Sequence, residues 1–155
     1  MILFLDCEFN EFGGDLISMA FVSEEGHEFY EVLNLENDKQ YGNWVLKNVV
    51  PHLNKEPISK DLFQAKLYQF INQWQDVHII VDWPDDIKYF CMSLITAPGV
   101  AINTPLNLTI QINRELNSSA SKIPHNALED ARAIRRSWLK LEQEIKGYKI
   151  NEPRK

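Results

Sequence analysis

Short apolar runs separated by turn-forming residues dominate the first part of the chain. Segments 2–8 (ILFLDCE), 16–22 (LISMAFV) and 27–34 (HEFYEVLN) have the length and the apolar content of β-strands. The turn signal SEEG lies between the second segment and the third, so we predict an antiparallel hairpin. Two later apolar runs, 77–82 and 107–112, predict two further strands.

In other segments, apolar residues recur every three or four positions, which is the spacing of an amphipathic helix. The clearest example is SKDLFQAKLYQFINQW, in which Ser59 is a candidate N-cap. The predicted helices are 43–49, 59–74, 85–95 and a long C-terminal helix that opens after residue 125 and stops near Gly147.

The order of these elements predicts the fold class. Three adjacent strands followed by alternating strands and helices are typical of an α/β protein, with a mixed β-sheet flanked by helices. The chain of 155 residues suits one domain, which we place at 1–150 with a short tail at 151–155. In such sheets, ligands bind at the carboxyl ends of the parallel strands.

Composition narrows the function classes. Apolar residues make up 45% of the chain, and no apolar run approaches the roughly 18 residues of a membrane helix, so we expect no membrane partner. The start MILFLDCEF lacks the basic region of a signal peptide, and neither Cys7 nor Cys91 has metal-ligand spacing. We therefore expect a cytoplasmic protein with reduced thiols.

Charge is distributed unevenly along the chain. The net charge of −6 argues against a general nucleic-acid coat protein. Residues 1–120 carry 7 basic and 17 acidic residues (net −10), whereas residues 121–155 carry 9 basic and 5 acidic residues (net +4). This pattern fits local contact with a polyanion beside a cation site, and it equally fits a solvated C-terminal helix.

Two carboxylates interrupt the first predicted strand. Asp6 and Glu8 are two positions apart, so their side chains share one face of the strand. Their neighbours Leu5, Cys7 and Phe9 are apolar, which indicates a partly buried strand. Carboxylates held together in such a place repel each other unless a cation or a proton relieves them. The pair indicates either a site for Mg²⁺ or Mn²⁺ or a hydrogen-bonded strand end.

A second group of acids, Asp82, Asp85 and Asp86, lies where a strand meets a helix. Pro84 and acids in the first turn are ordinary signals for the start of a helix, so one of these aspartates is explained by capping. Three acids exceed what a cap requires.

A third group opens the last helix. Asp130 lies four positions before Ile134, at the edge of the apolar stripe, so we expect it to face the protein. His125 lies five residues earlier, within reach of the same cleft, and histidine can act as a base near neutral pH. Three arginines follow on this helix, and they indicate either phosphate contacts or a solvated face: Arg132, Arg135 and Arg136.

These pieces, in this order, resemble the DEDDh group of 3′–5′ exonucleases, the DnaQ-like branch of the ribonuclease-H-like fold. That group carries Asp-x-Glu on its first strand, an aspartate at the start of a central helix, and His-x-x-x-x-Asp on its last helix. The matching residues here are Asp6 and Glu8, then Asp86, then His125 and Asp130. The motifs DCEF and HNALEDARAIRR are most similar to those of the bacterial ribonuclease AS-like exoribonucleases.

One position departs from the pattern. The group usually has Asn or another small polar residue four positions before its central aspartate, and this chain has Asp82 there. We choose Asp86 as the central aspartate because apolar residues follow it as the pattern expects. The alternative is that Asp82 shares the metal role or takes it over.

The resemblance implies hydrolysis of single-stranded RNA from its 3′ end by a two-metal mechanism. The four matched carboxylates would hold two Mg²⁺ or Mn²⁺ ions, and His125 would accept a proton from the attacking water. Phe9 is expected either to stack on a terminal base or to pack into the core, and Asn10 is expected at the substrate. Alternatives are a DNA exonuclease, an inactive nucleic-acid-binding module and a structural Ca²⁺-binding domain, and a homodimer is compatible with all of them.

Overall fold

A computed structural model describes residues 1–34 and 40–151, with side chains as far as residue 145. Except for Asn151, the predicted C-terminal tail lies outside the described residues. The strands are β1 (Ile2–Phe9), β2 (Leu16–Ser23), β3 (Glu28–Val32), β4 (Asp76–Val81), β5 (Ile95–Ala97), β6 (Val100–Ala101) and β7 (Asn107–Ile112). The helices are α1 (Asn43–Asn48), α2 (Lys60–Ile71), α3 (Pro84–Leu94) and α4 (Ala127–Asn151), and a short 3₁₀ turn spans Val50–His52.

Five strands form one mixed sheet in the order β3-β2-β1-β4-β7. The first three strands pair antiparallel, whereas β4 lies parallel to both β1 and β7. The predicted α/β class with a mixed sheet flanked by helices is therefore confirmed. Because β1 and β4 are parallel neighbours, their carboxyl ends open at the same edge of the sheet.

Alternation along β1 divides its side chains between two layers. Leu3, Leu5 and Cys7 are buried in the core that includes residues of α2 and α3. Phe4 faces the opposite layer and packs with Ile134 of α4. The pleat therefore directs Asp6 and Glu8, which alternate with Leu5 and Cys7, toward the α4 side of the sheet.

The helix boundaries follow the sequence signals in part. Ser59 caps α2, with its hydroxyl oxygen accepting the Leu62 N–H at 3.3 Å. The prediction that the last helix stops near Gly147 was wrong, because α4 continues to Asn151. A glycine inside a helix costs only about 1 kcal/mol, which is too little to end it alone. Among the residues described, no helix combines the length and apolar character that crossing a membrane requires.

The small β5–β6 hairpin was not predicted from the sequence. Its strands have three and two residues, all exposed, so they carry no pattern of burial. Gly99 turns the chain between them with a φ of +74°, a conformation that favours glycine. The hairpin lies between α3 and β7.

Candidate active site

Among the described residues, five carboxylates meet at the carboxyl ends of β1 and β4. Asp6 and Glu8 lie on β1, and Asp82 follows the last residue of β4. Pro84 starts α3 at once, which places Asp86 in the first turn of that helix. From the other side of the sheet, α4 contributes Asp130 in its own first turn.

The carboxylates form two overlapping groups. Oxygen atoms of Asp6, Glu8 and Asp130 lie within 4.8 Å of one another, and so do oxygen atoms of Asp6, Asp82 and Asp86. Asp6 belongs to both groups and therefore lies at the centre of the cluster. All the predicted ligands are brought together, and Asp82 joins them.

Burial makes this arrangement electrostatically costly. The exposed fraction is 3% for Asp86 and 6% for Asp130. Burial, together with repulsion from Asp86 and Glu8, raises the pKa of Asp6 well above its ordinary value. Burial and the charge of Asp130 raise the pKa of Glu8 to about 8. The cluster is thus stable only when protons or cations reduce its negative charge.

Unsatisfied carboxylate oxygens indicate whether cations or protons suit the site better. Asp6 Oδ2, Asp86 Oδ2 and Asp130 Oδ1 are buried without a hydrogen-bond partner among the described residues. Buried polar atoms of native proteins are rarely left in this state. Carboxylate oxygens converging from separate elements are the ligands that Mg²⁺ and Mn²⁺ prefer, so the donor set fits such ions.

Two backbone amides fix the outer carboxylates. The N–H of Cys7 donates to Asp86 Oδ1 at 3.0 Å, and the N–H of His125 donates to Asp130 Oδ2 at 3.0 Å. Each bond uses one oxygen of the carboxylate and leaves the other facing the cluster. The first bond distinguishes Asp86 from its neighbour Asp85, whose carboxylate instead accepts the indole N–H of Trp83.

His125 lies at the mouth of the cleft with an exposed side chain. Its φ of +65° is unusual for a residue other than glycine, and the next residue stabilises this turn. Asn126 is buried, and its side chain caps α4 at Glu129 N and donates to the His52 carbonyl. The imidazole packs edge-on against Trp44 of α1, with ring centroids 4.9 Å apart. The backbone and the ring are therefore both held, next to Asp130.

The two predicted substrate-binding residues have different environments. Phe9 is partly buried, stacks on Tyr89 with ring centroids 4.7 Å apart, and still lines the cleft. Asn10 uses its amide within the protein, donating to the Gln40 carbonyl and accepting the Gly42 N–H. Because Gly42 precedes α1, Asn10 fixes the start of the helix that carries the partner of His125. Contact between Asn10 and a substrate stays a prediction.

The arginines of α4 have partners within the protein. Arg132 forms a two-pronged ion pair with Glu28 and a second ion pair with Glu129. Arg135 donates to the carbonyl of Glu24, and Arg136 donates to the carbonyl of Ala120. These contacts favour a structural role for the basic face over phosphate binding.

Aromatic residues around the cleft were missed in the sequence analysis. The cleft has a volume of about 710 Å³, and exposed rings lie at its rim. Phe12 is 96% exposed, and Trp44 and Trp83 each expose about half of their surface. The signal was present in VDWPDD, where a large aromatic residue lies among acids at a predicted strand end.

No model of a known protein family matches the chain, and no curated protein matches it either. Fold and site together define an α/β protein with a mixed five-stranded sheet and an acidic cleft at the carboxyl ends of β1 and β4.

Proposed function

We propose that the chain is a metal-dependent 3′–5′ exonuclease of the DEDDh type, with a ribonuclease-H-like fold and single-stranded RNA as its substrate. The observation that carries the proposal is the convergence of buried, unsatisfied carboxylate oxygens with His125 in one open cleft. A purely structural acidic patch would have solvent or basic residues around its carboxylates.

Divalent ions account for the cluster and for its substrate. Asp6, Glu8, Asp86 and Asp130 are the residues that would hold Mg²⁺ or Mn²⁺, with Asp6 shared between the two groups. Such ions supply stabilisation of negative charge on a reacting phosphate and lower the pKa of water. Their charge also lets an acidic cleft accept a polyanion.

His125 is the proposed general base. Its exposed ring lies in the cleft wall next to Asp130, where it can take a proton from a water that attacks the terminal phosphate. Trp44 limits the rotation of the ring, and the backbone bond to Asp130 sets its distance from the carboxylates. Asp82 is half-buried in the group with Asp6 and Asp86, so we assign it a supporting role in orienting the ions.

The sheet order and the sequence motifs support this family. Three antiparallel strands followed by parallel strands fit the arrangement expected from the resemblance, with the short β5–β6 hairpin as an addition. RNA is preferred because DCEF and HNALEDARAIRR are most similar to the ribonuclease AS-like group. A cytoplasmic location accompanies the proposal, and homodimerisation stays a prediction.

The test is degradation of oligonucleotides of identical sequence made as RNA and as DNA, each labelled at the 5′ end. With Mn²⁺ or Mg²⁺, we expect the RNA to shorten stepwise from its 3′ end, and a blocked 3′ end should prevent this. Chelation by EDTA and the variant Asp6→Asn are the controls. Preferential shortening of DNA would change the substrate, and shortening of neither would refute the exonuclease proposal.

A further inference from the structure

We propose that Trp83 is a stacking platform for a base of the single-stranded nucleic acid that enters the acidic cleft. The identity of the ligand rests on the proposed function, whereas the platform itself rests on the geometry of three side chains. Trp83 is half exposed and lines the cleft, although indole is a large apolar group that proteins normally bury further.

The indole of Trp83 is fixed in place. Its N–H donates to Asp85 Oδ2 at 2.9 Å, which sets the direction of the ring edge. The guanidinium carbon of Arg114 lies 4.5 Å from the centre of the ring and covers it. Arg114 in turn donates to the carbonyl oxygen of Asp82. Because the edge and one face of the indole are already held, the ring loses little conformational freedom when a base stacks on its other face.

The position of Trp83 in the chain ties this surface to the acids. Trp83 is the extended residue that precedes α3, so it lies between Asp82 on one side and Asp86 on the other. Trp83 and the carboxylates line the same cleft, so a base stacked on Trp83 would lie in the cleft that holds the acids. Stacking on an aromatic ring tolerates any base sequence, which suits an enzyme that degrades a strand stepwise.

The carboxylates near Trp83 indicate which class of ligand binds there. A lipid chain or an apolar protein segment placed on Trp83 would bury the carboxylates of the cleft without compensating them. A nucleotide offers a flat ring for the indole and a phosphate for the ions that the carboxylates suit. A single-stranded nucleic acid offers both the flat ring and the phosphate, and its bases can reach the indole because they are not paired in a duplex.

The experiment separates binding from hydrolysis and base from backbone. The protein carries Asp6→Asn so that substrate persists, and the probes are a fluorescent single-stranded RNA, the matching DNA, and an RNA whose last two nucleotides lack bases. Anisotropy gives the dissociation constants in the presence of Mn²⁺. Trp83→Leu should weaken binding of the intact strands by about 5- to 150-fold, the effect of one lost base stack. It should leave the affinity for the base-free strand unchanged.

Three further variants make the result specific. Trp83→Phe should restore most of the affinity, since it keeps an aromatic face, and Arg114→Gln should give a smaller loss for the intact strands only. Tyr68→Ala removes a similarly exposed aromatic residue on α2, outside the cleft, and should leave the affinities for all three strands unchanged. In the protein with Asp6 intact, Trp83→Leu should raise KM and leave kcat within about threefold.

The outcomes distinguish the two proposals. Equal loss of affinity for intact and base-free strands, or no loss for either, overturns the platform even if the protein hydrolyses RNA. Base-dependent binding through Trp83 without hydrolysis by the unchanged protein supports the platform and refutes the exonuclease. If Trp83→Leu lowers the melting temperature strongly, Trp83→Phe and Arg114→Gln test the platform instead. Near-normal affinity for Trp83→Phe with a loss for Arg114→Gln on the intact strands only supports the platform, and any other pattern overturns it.

Discussion

Glu31 and the acids of the cleft lie on opposite faces of the same sheet, and their charges are compensated differently. Glu31 of β3 is 5% exposed and pairs with two lysines, at 3.0 Å from Lys55 and 2.8 Å from Lys66. On the other face, the cleft acids Asp6 and Glu8 have no ion pair among the described residues. Their neighbours are further acids.

The difference lies in where the compensating positive charge comes from. Removing a carboxylate from water costs several kcal/mol unless a cation compensates it. The fold supplies that cation as lysine for Glu31, from a helix and a loop that pack on the sheet. Among the described residues, no basic side chain forms a salt bridge with Asp6, so the negative charge of the cluster is balanced only by bound ions or by protons. Glu31 is buried with lysine partners, whereas the cleft acids are buried against one another, and this contrast motivates the proposal of a metal site.

The test with the largest expected effect replaces Asp6 of the cleft, or Glu31 of β3, with the corresponding amide. Asp6→Asn should reduce metal-dependent hydrolysis by about 10³-fold or more, since it removes the ligand shared by the two carboxylate groups of the cleft. It should also raise the melting temperature of the metal-free protein by about 3 °C, because it relieves repulsion. Glu31→Gln should do the reverse, costing about 1–3 kcal/mol of stability and leaving turnover unchanged. Turnover and thermal melts check both; equal destabilisation by the two changes would contradict the comparison.

A second test asks whether the cleft needs more than its acids. His125→Asn should lower kcat by about 10²–10⁴-fold, the usual contribution of a general base. Asparagine tolerates the left-handed backbone of this position, so the N–H bond to Asp130 should survive. Calorimetric titration with Mn²⁺ should accordingly show unchanged affinity. Loss of metal binding would mean that His125 belongs to the ligand set.

A third test uses pH in place of substitution. The raised pKa of Glu8 means that its carboxyl group binds a proton more tightly in the folded protein than in the unfolded chain. Its contribution to stability is therefore complete below pH 4.5 and is lost as the pH rises to about 8. Asp6 and Asp86, whose pKa values are also raised by burial, add to this loss.

We expect the melting temperature of the metal-free protein to fall across that range, and saturating Mg²⁺ to reverse much of the fall. Glu8→Gln should flatten the metal-free profile, whereas Glu31→Gln keeps all the cleft acids and should leave its slope intact. A metal-free melting temperature that rises through the range would show that the acids are already compensated.

The smallest effect concerns the wall of the cleft. Asn10→Ala removes the two hydrogen bonds that fix the start of α1, and so loosens Trp44 against His125. We expect kcat to fall by about tenfold, with metal affinity unchanged, because misplacement of a catalytic group lowers the rate. Asn10→Asp keeps the acceptor for Gly42 and should recover part of the loss. If KM rises and kcat does not fall, Asn10 contacts the substrate as predicted from the sequence.

Much of the fold and of the acid cluster was predictable because both follow from local rules. Alternation placed Asp6 and Glu8 on one face, and the shared edge of parallel strands brought them to Asp82 and Asp86. The choice of Asp86 over Asp85 rested on the apolar residues that follow it, and the structure places Asp86 in the cluster and Asp85 against Trp83.

The remaining features depend on contacts between distant segments. Asn10 and Gly42 are 32 positions apart, and no local sequence pattern predicts the hydrogen bond between them. The edge-on contact of Trp44 with His125 likewise requires α1 and α4 to be packed first. The β5–β6 hairpin was missed for another reason, since five exposed residues leave no periodic pattern to read.

The amide hydrogens of Cys7 and His125 can serve as probes of opening in the two walls of the cleft. Each is bonded to one acid of the cleft, Asp86 and Asp130 respectively, and the two acids belong to different helices. Exchange of these hydrogens with heavy water requires each bond to open. Their two exchange rates therefore report separately on the α3 wall and the α4 wall of the cleft, without any substrate and without any change to the sequence.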